Sequence, residues 1–178
     1  MNAKYFGWGL LFLWAVAILA GLWLYNSRQI VSFDPEQTLA QAATTMEFDN
    51  KLVKVLSEQG VQPGSLVHLQ TDAACYCNTL TEPHRDTLLN KLQAQGYQAK
   101  TIDISAIPSL QALLPTFPAI AIVDNQRQLR YLGPYATGYG CFTGQTLVDT
   151  IANIARSDFH GAIVQTEADG CFCQTRQG

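Results

Sequence analysis

"SLVHLQTDAACYCNTL", residues 65–80, governs how the rest of the chain is read. Its first part, "LVHLQ" at 66–70, is a short apolar run of the kind that forms a buried strand. Two cysteines follow, Cys75 and Cys77, with one residue between them. This C-x-C is one residue shorter than the C-x-x-C of disulfide oxidoreductases and of common zinc sites. A second pair, Cys171 and Cys173 in "GCFC" at 170–173, repeats the spacing, and Cys141 is the fifth cysteine. Two such pairs among five cysteines are not a chance arrangement. They point to redox chemistry, a thiolate metal site or cross-links.

Downstream of the first pair the pattern alternates. "TEPHRDTLLNKLQAQG" at 81–96 predicts a helix with Thr81 as cap, Leu88, Leu89 and Leu92 as its apolar stripe, and Gly96 as its end. "YQAKTIDI" at 97–104 predicts a strand, and "IPSLQALL" at 107–114 a short helix. "AIAIVD" at 119–124 predicts a buried strand whose antiparallel partner is "RQLRYLG" at 127–133. "GQTLVDTIANIARS" at 144–157 predicts a helix with Leu147, Val148, Ile151 and Ile154 inward. The order from residue 66 is β-α-β-α-β-β-α. It allows three parallel strands joined by helical crossovers, with a hairpin at the edge and helices on both faces.

Upstream, "DPEQ" at 34–37 carries helix-start chemistry, with Asp34 as N-cap and Pro35 at the first helical position. The helical region runs to about Gln59, broken near residues 48–50, with Leu52, Val53 and Leu56 as its stripe. Further back, "YFGWGLLFLWAVAILAGLWLY" at 5–25 contains no charge. At 1.5 Å per residue it spans roughly 30 Å, the hydrocarbon thickness of a bilayer. Tyr5, Trp8, Trp23 and Tyr25 lie near its ends, where amphipathic rings settle at the interface. The run is longer than a signal-peptide core and no A-x-A-like site follows, so an uncleaved anchor is expected. Lys4 precedes the span and Arg28 follows it, which favours an N-terminus inside and a domain outside.

The expected organisation is an anchor at 1–28, a linker and helix at 29–59, an α/β domain at 60–157 and a cysteine-bearing tail at 158–178. With 178 residues, 48% of them hydrophobic, the chain is long enough for one globular core. A formal charge of −3 and a pI near 5.5 provide no basic footprint, and nucleic acid is not expected as a partner.

The element order, the cysteines after the first strand and "PTFPAI" at 115–120, where Pro118 directly precedes the third strand, together resemble the thioredoxin superfamily. The resemblance covers roughly residues 60–157. It departs from thioredoxin proper in having "AACYCN" at the site, "YLGPYATGYGC" after the fourth strand and "EADGCFC" near the end. This set looks like membrane-anchored, thioredoxin-like bacterial proteins. The resemblance implies a three-layer α/β/α sandwich behind one transmembrane helix, with the domain on the periplasmic side of the inner membrane. It implies a cis-proline at Pro118 facing the cysteines, with Cys75 as nucleophile and Cys77 as resolving thiol. It also brings Cys141 near Cys75 and makes protein thiols or disulfides the substrates.

The residues leave several alternatives open. A thiolate at a helix N-terminus has a lowered pKa. A disulfide across one residue is strained, so Cys75 and Cys77 equally suit pairing with other cysteines. Cys171 and Cys173 lie on a tail that either docks as a staple or moves as a redox shuttle. Cys75, Cys77, Cys171 and Cys173 would together supply four thiolates for zinc, Cu(I) or an iron–sulfur cluster, although no cofactor is the first expectation. A third alternative is a non-catalytic interaction module with structural disulfides. His68, in the first strand, is either a base for the resolving thiol or a hydrogen-bonded core residue. His84 is a solvated residue, a base or a metal ligand, and His160 has no pattern behind it.

Overall fold

A computed structural model describes residues 3–27, 30–71, 75–138 and 145–174. The chain divides into two units, one up to Ile30 and one from Val31 onward. The first unit is helix α1, Ala3–Ser27. Its window Gly7–Leu24 is long and apolar enough to cross a membrane. Trp8, Phe12, Trp14 and Trp23 stand exposed along it, the arrangement expected of a helix whose solvent is lipid.

The second unit opens with strand β1 (Val31–Ser32), helix α2 (Thr38–Ala43) and helix α3 (Phe48–Glu58). Asp34 does cap, but from farther out than expected. Its carboxylate accepts from the backbone N–H of Leu39 and Ala40, so the helix begins at Thr38 and Pro35 lies in the preceding turn. Strand β2 (Ser65–Gln70) follows and leads into helix α4 (Tyr76–Leu92). Thr81 is therefore not the cap; Cys75 is, and Pro83 lies inside the helix. Gly96, with φ of 84°, closes the helical run, a conformation that suits glycine.

Next come β3 (Gln98–Asp103), α5 (Pro108–Leu113), β4 (Thr116–Phe117), β5 (Ala119–Val123), β6 (Leu129–Gly133) and α6 (Val148–Arg156). Strands β7 (Ile163–Val164), β8 (Asp169–Gly170) and β9 (Cys173–Gln174) complete the described chain.

The central sheet is mixed, in the order β3-β2-β5-β6-β7. β2 and β3 are parallel, but β5 runs antiparallel to β2, so three parallel strands do not form. The reason is length. The 17-residue α4 rises about 25 Å and carries the chain back along the sheet before β3 begins. The six-residue α5 rises only about 9 Å against roughly 20 Å for a six-residue strand, so the chain re-enters the sheet at the end where it left. β5 and β6 form the expected hairpin.

Alternation along the strands sends side chains to two cores. Leu66, Ile120, Ile122 and Tyr131 meet Leu88 and Leu92 of α4 and Val148, Ile151 and Ala152 of α6 on one face. Val67, Leu69, Ala119 and Ala121 meet Leu52, Leu56, Leu110 and Leu114 on the other. Cys75 and Cys77 belong to that second core, and the tail closes over it.

Candidate functional site

The site is built where β2 ends and α4 starts. Cys75 has extended backbone angles and stands at the N-cap of α4, while Cys77 is in the first turn. Here the first backbone N–H groups of the helix lack intrahelical acceptors and the helix dipole presents its positive end, both of which favour a thiolate. No acidic residue occupies the first turn to oppose this.

Cys75 is bonded to Cys173 and Cys77 to Cys171, with Cα separations of 6.2 and 5.5 Å. Residues two apart at a helix start do not face each other, so Cys75 and Cys77 are not aligned for a mutual bond. The cross-pairing is ordered: the first cysteine of one pair joins the last of the other. The tail thus runs antiparallel to residues 75–77 across two rungs, and two C-x-C pairs of equal spacing are what such a double rung requires. Cys75 and Cys77 are 9% and 7% exposed, while the two tail cysteines are only partly buried, so solvent meets the site from the tail side.

The tail docks, the first of the two alternatives open for it. β7 pairs parallel with β6, β8 antiparallel with β1, and β9 antiparallel with β4. The Phe33 N–H donates to Ala168 O at 2.7 Å, and the Cys171 N–H to Gly138 O at 3.1 Å. Phe172, between the paired cysteines, sets its ring edge-on to Phe33 at 5.1 Å. Gly170 suits this approach, since a Cβ there would lie 3.0 Å from the Phe172 ring and 3.1 Å from Gly138 O and would make its neighbours give by a few tenths of an ångström.

Pro118 follows β4 directly, and the Phe117–Pro118 bond is cis. Phe117 pairs in register with Cys173, so the backbone beside Pro118 is held to the residue that is bonded to Cys75. A cleft of about 20 Å³ beside Cys77 and Cys171 is bordered by Leu80, Thr81, His84 and Tyr135. It has room for about one water molecule and none for a substrate side chain.

His68 is 3% exposed and held within hydrogen-bonding distance of Tyr135 Oη (3.0 Å, from Nδ1) and Gln70 Oε1 (3.2 Å, from Nε2). It alternates with Val67 and Leu69 and so faces away from the core that holds the cysteines. Burial, with a smaller contribution from the Arg85 charge, lowers its pKa to about 4. The Tyr135 hydroxyl is itself pushed far up by burial and stays protonated. His84 Nδ1 is 3.2 Å from Thr146 Oγ1, and burial lowers its pKa. Cys141 lies outside the described residues.

Sequence reasoning missed the edge Thr116–Phe117 and the contribution of Phe33. Neither carries a chemical signature; only the tail's path identifies them.

The family model described as a domain of unknown function (DUF6436) matches residues 41–175, well over half of the chain, and the chain belongs to that family. No curated protein and no solved structure matches it.

Proposed function

We propose that this chain is a membrane-tethered, thioredoxin-like protein that performs thiol–disulfide exchange on the periplasmic side of a bacterial inner membrane. The observation that carries the reading is the position of Cys173. It is bonded to Cys75 at a helix N-terminus while its backbone lies as a strand against Thr116–Phe117, beside the cis bond to Pro118. An extended, cysteine-bearing peptide captured by strand addition and a mixed disulfide would present the same arrangement. The β-α-β order leading into the site and the helix-start position of Cys75 support the same reading.

The exchange balances as follows. In the reduced protein the Cys75 thiolate attacks one sulfur of a substrate disulfide. A Cys75–substrate bond forms and the other substrate sulfur leaves as a thiolate, which takes a proton from water. The Cys173 thiolate then attacks Cys75 Sγ, restoring the Cys75–Cys173 bond and releasing the second substrate thiolate. Two electrons pass from the cysteine pair to the substrate; the reverse sequence oxidises a substrate dithiol. The resolving role thus moves from Cys77 to Cys173, because Cys173 is the residue joined to Cys75.

The test uses the reduced full chain in detergent micelles with a disulfide-bonded peptide. In Cys173→Ser the mixed disulfide at Cys75 accumulates, seen as a mass increase of one peptide. If no adduct forms at Cys75 in Cys173→Ser or in Cys171→Ser/Cys173→Ser, the exchange reading is lost and structural staples take its place.

A further inference from the structure

The two disulfides hold three sulfurs in one cluster, with the fourth bonded to one of them. Sγ of Cys75, Cys77 and Cys173 all lie within 4.8 Å of one another, and Sγ of Cys171 is bonded to that of Cys77. From this geometry we infer that the same four residues form a zinc site when the disulfides are reduced, so that the tail has two interchangeable fastenings.

Distance makes the argument. Zinc binds thiolates at about 2.3 Å in a tetrahedron, which sets neighbouring sulfurs about 3.8 Å apart. A disulfide holds its sulfurs about 2.05 Å apart, so each bonded pair must open by roughly 1.8 Å. Rotation about the Cα–Cβ bonds accommodates a change of that size, while the unbonded sulfurs among Cys75, Cys77 and Cys173, already within 4.8 Å, need to close by no more than about 1 Å, and Cys171 Sγ swings in from its place beside Cys77 Sγ. The backbone ladders of β8 with β1 and β9 with β4 set the register in which the tail meets Cys75 and Cys77, while a fastening through the sulfurs keeps it there.

The donor set narrows the ion to a thiophilic metal, and Zn²⁺ takes four thiolates as a closed tetrahedron. Four soft thiolates without a carboxylate among them suit Zn²⁺ and reject Mg²⁺ and Ca²⁺. Four thiolates on one Zn²⁺ carry a net charge of −2. The N–H groups at the start of α4, where Cys75 caps and Cys77 sits in the first turn, face that charge with the positive end of the helix. The chemistry balances with a dithiol or phosphine reductant: four electrons and four protons convert two disulfides into four thiols, and Zn²⁺ then displaces the thiol protons. Metal binding and tail docking become one event, as in small domains whose fold depends on zinc.

The experiment titrates Zn²⁺ into the full chain in detergent micelles, reduced and then freed of reductant without oxygen. Native mass, competition with a chromogenic chelator and hydrogen exchange are read together. One Zn²⁺ per reduced chain is expected, none on the oxidised chain, and slow exchange across residues 163–174 only when zinc or the disulfides are present. Cys75→Ser/Cys173→Ser should lose at least 100-fold in affinity, and Cys141→Ser should keep it. No zinc on the reduced chain would overturn the inference, as would equal affinity in Cys75→Ser/Cys173→Ser. Binding that leaves residues 163–174 exchanging freely would overturn it too, since loose thiols of an undocked tail would then be the ligands. The inference does not depend on the exchange reading: a chain that binds zinc but forms no mixed disulfide at Cys75 retains the first and loses the second.

Discussion

The two faces of the central sheet are held by different means. One is covered by α4 and α6, whose side chains Leu88, Leu92, Ile151 and Ala152 are completely buried against the strands. The other is covered by α3, the six-residue α2 and α5, and the tail, and keeps an apolar groove of about 310 Å³ between Phe48, Leu52, Val55, Leu110 and Leu113. Helices of two or more turns with several buried side chains, such as α3, α4 and α6, bury enough surface to hold themselves in place. Two-residue strands such as β8 and β9 do not, and there the chain is cross-linked. The two disulfides therefore fasten one face and leave the other alone.

The largest expected effect tests that division directly. Each disulfide closes a loop of nearly a hundred residues, and the chain-entropy estimate for one such loop is about 4.7 kcal/mol. The two loops nearly coincide, so the second adds much less. Reducing both bonds in the absence of metal should release residues 31–33 and 163–174 to fast hydrogen exchange while Leu88–Leu92 and Ile151–Ala152 stay protected. Uniform loss of protection would break the comparison.

On the helical face, Leu88→Ala removes a completely buried side chain and should cost about 3 kcal/mol. The measured loss in denaturant midpoint should be similar in the oxidised and reduced chains. A cost that vanishes on reduction would mean that the two faces unfold together.

His68 sharpens the picture by pH. Its pKa is lowered to about 4 in the folded protein against about 6.5 in an unfolded chain, so the fold favours the neutral ring. Its contribution is complete above pH 6.5, falls as pH drops toward 4, and is constant below that. The unfolded state binds the extra proton within this window, at up to about 1.4 kcal/mol per pH unit and about 3 kcal/mol in all. His68→Asn should flatten that part of the stability–pH curve; an unchanged curve would remove His68 as its source.

The smallest effect belongs to Phe172. Its edge-on contact with Phe33 is worth about 1 kcal/mol, and Phe172→Ala should speed reduction of the tail disulfides several-fold with little change in thermal midpoint. An unchanged reduction rate would show that the strand ladders alone seat the tail.

The same division explains what was legible in the sequence. Strands β2, β5 and β6 and helix α6 announce themselves by apolar runs or helical periodicity, and they build the sheet and the helical face. The start of α4 was misread because "YCNTL" has no apolar stripe and Pro83 imitates a first turn, although the helix already begins at Tyr76. The direction of β5 turned on the length of α5, a property of the connection rather than of the strand. The paired cysteines were visible as candidates from their spacing alone. Their cross-linking to the tail was legible only as one alternative, and its pairing not at all, because strands two residues long are too short to show a period of two.

The ladder between β1 and β8 also has a mechanical meaning. Val31 and Ser32 are the first residues of the globular unit after the apolar helix, and they pair with Gly170 and Asp169, immediately before Cys171. A pull entering the unit at Val31 therefore meets two residues of hydrogen bonding first. The segment at the other side of those hydrogen bonds is itself fastened to α4 by two disulfides, so in the oxidised protein β1 is braced against a covalently anchored strand.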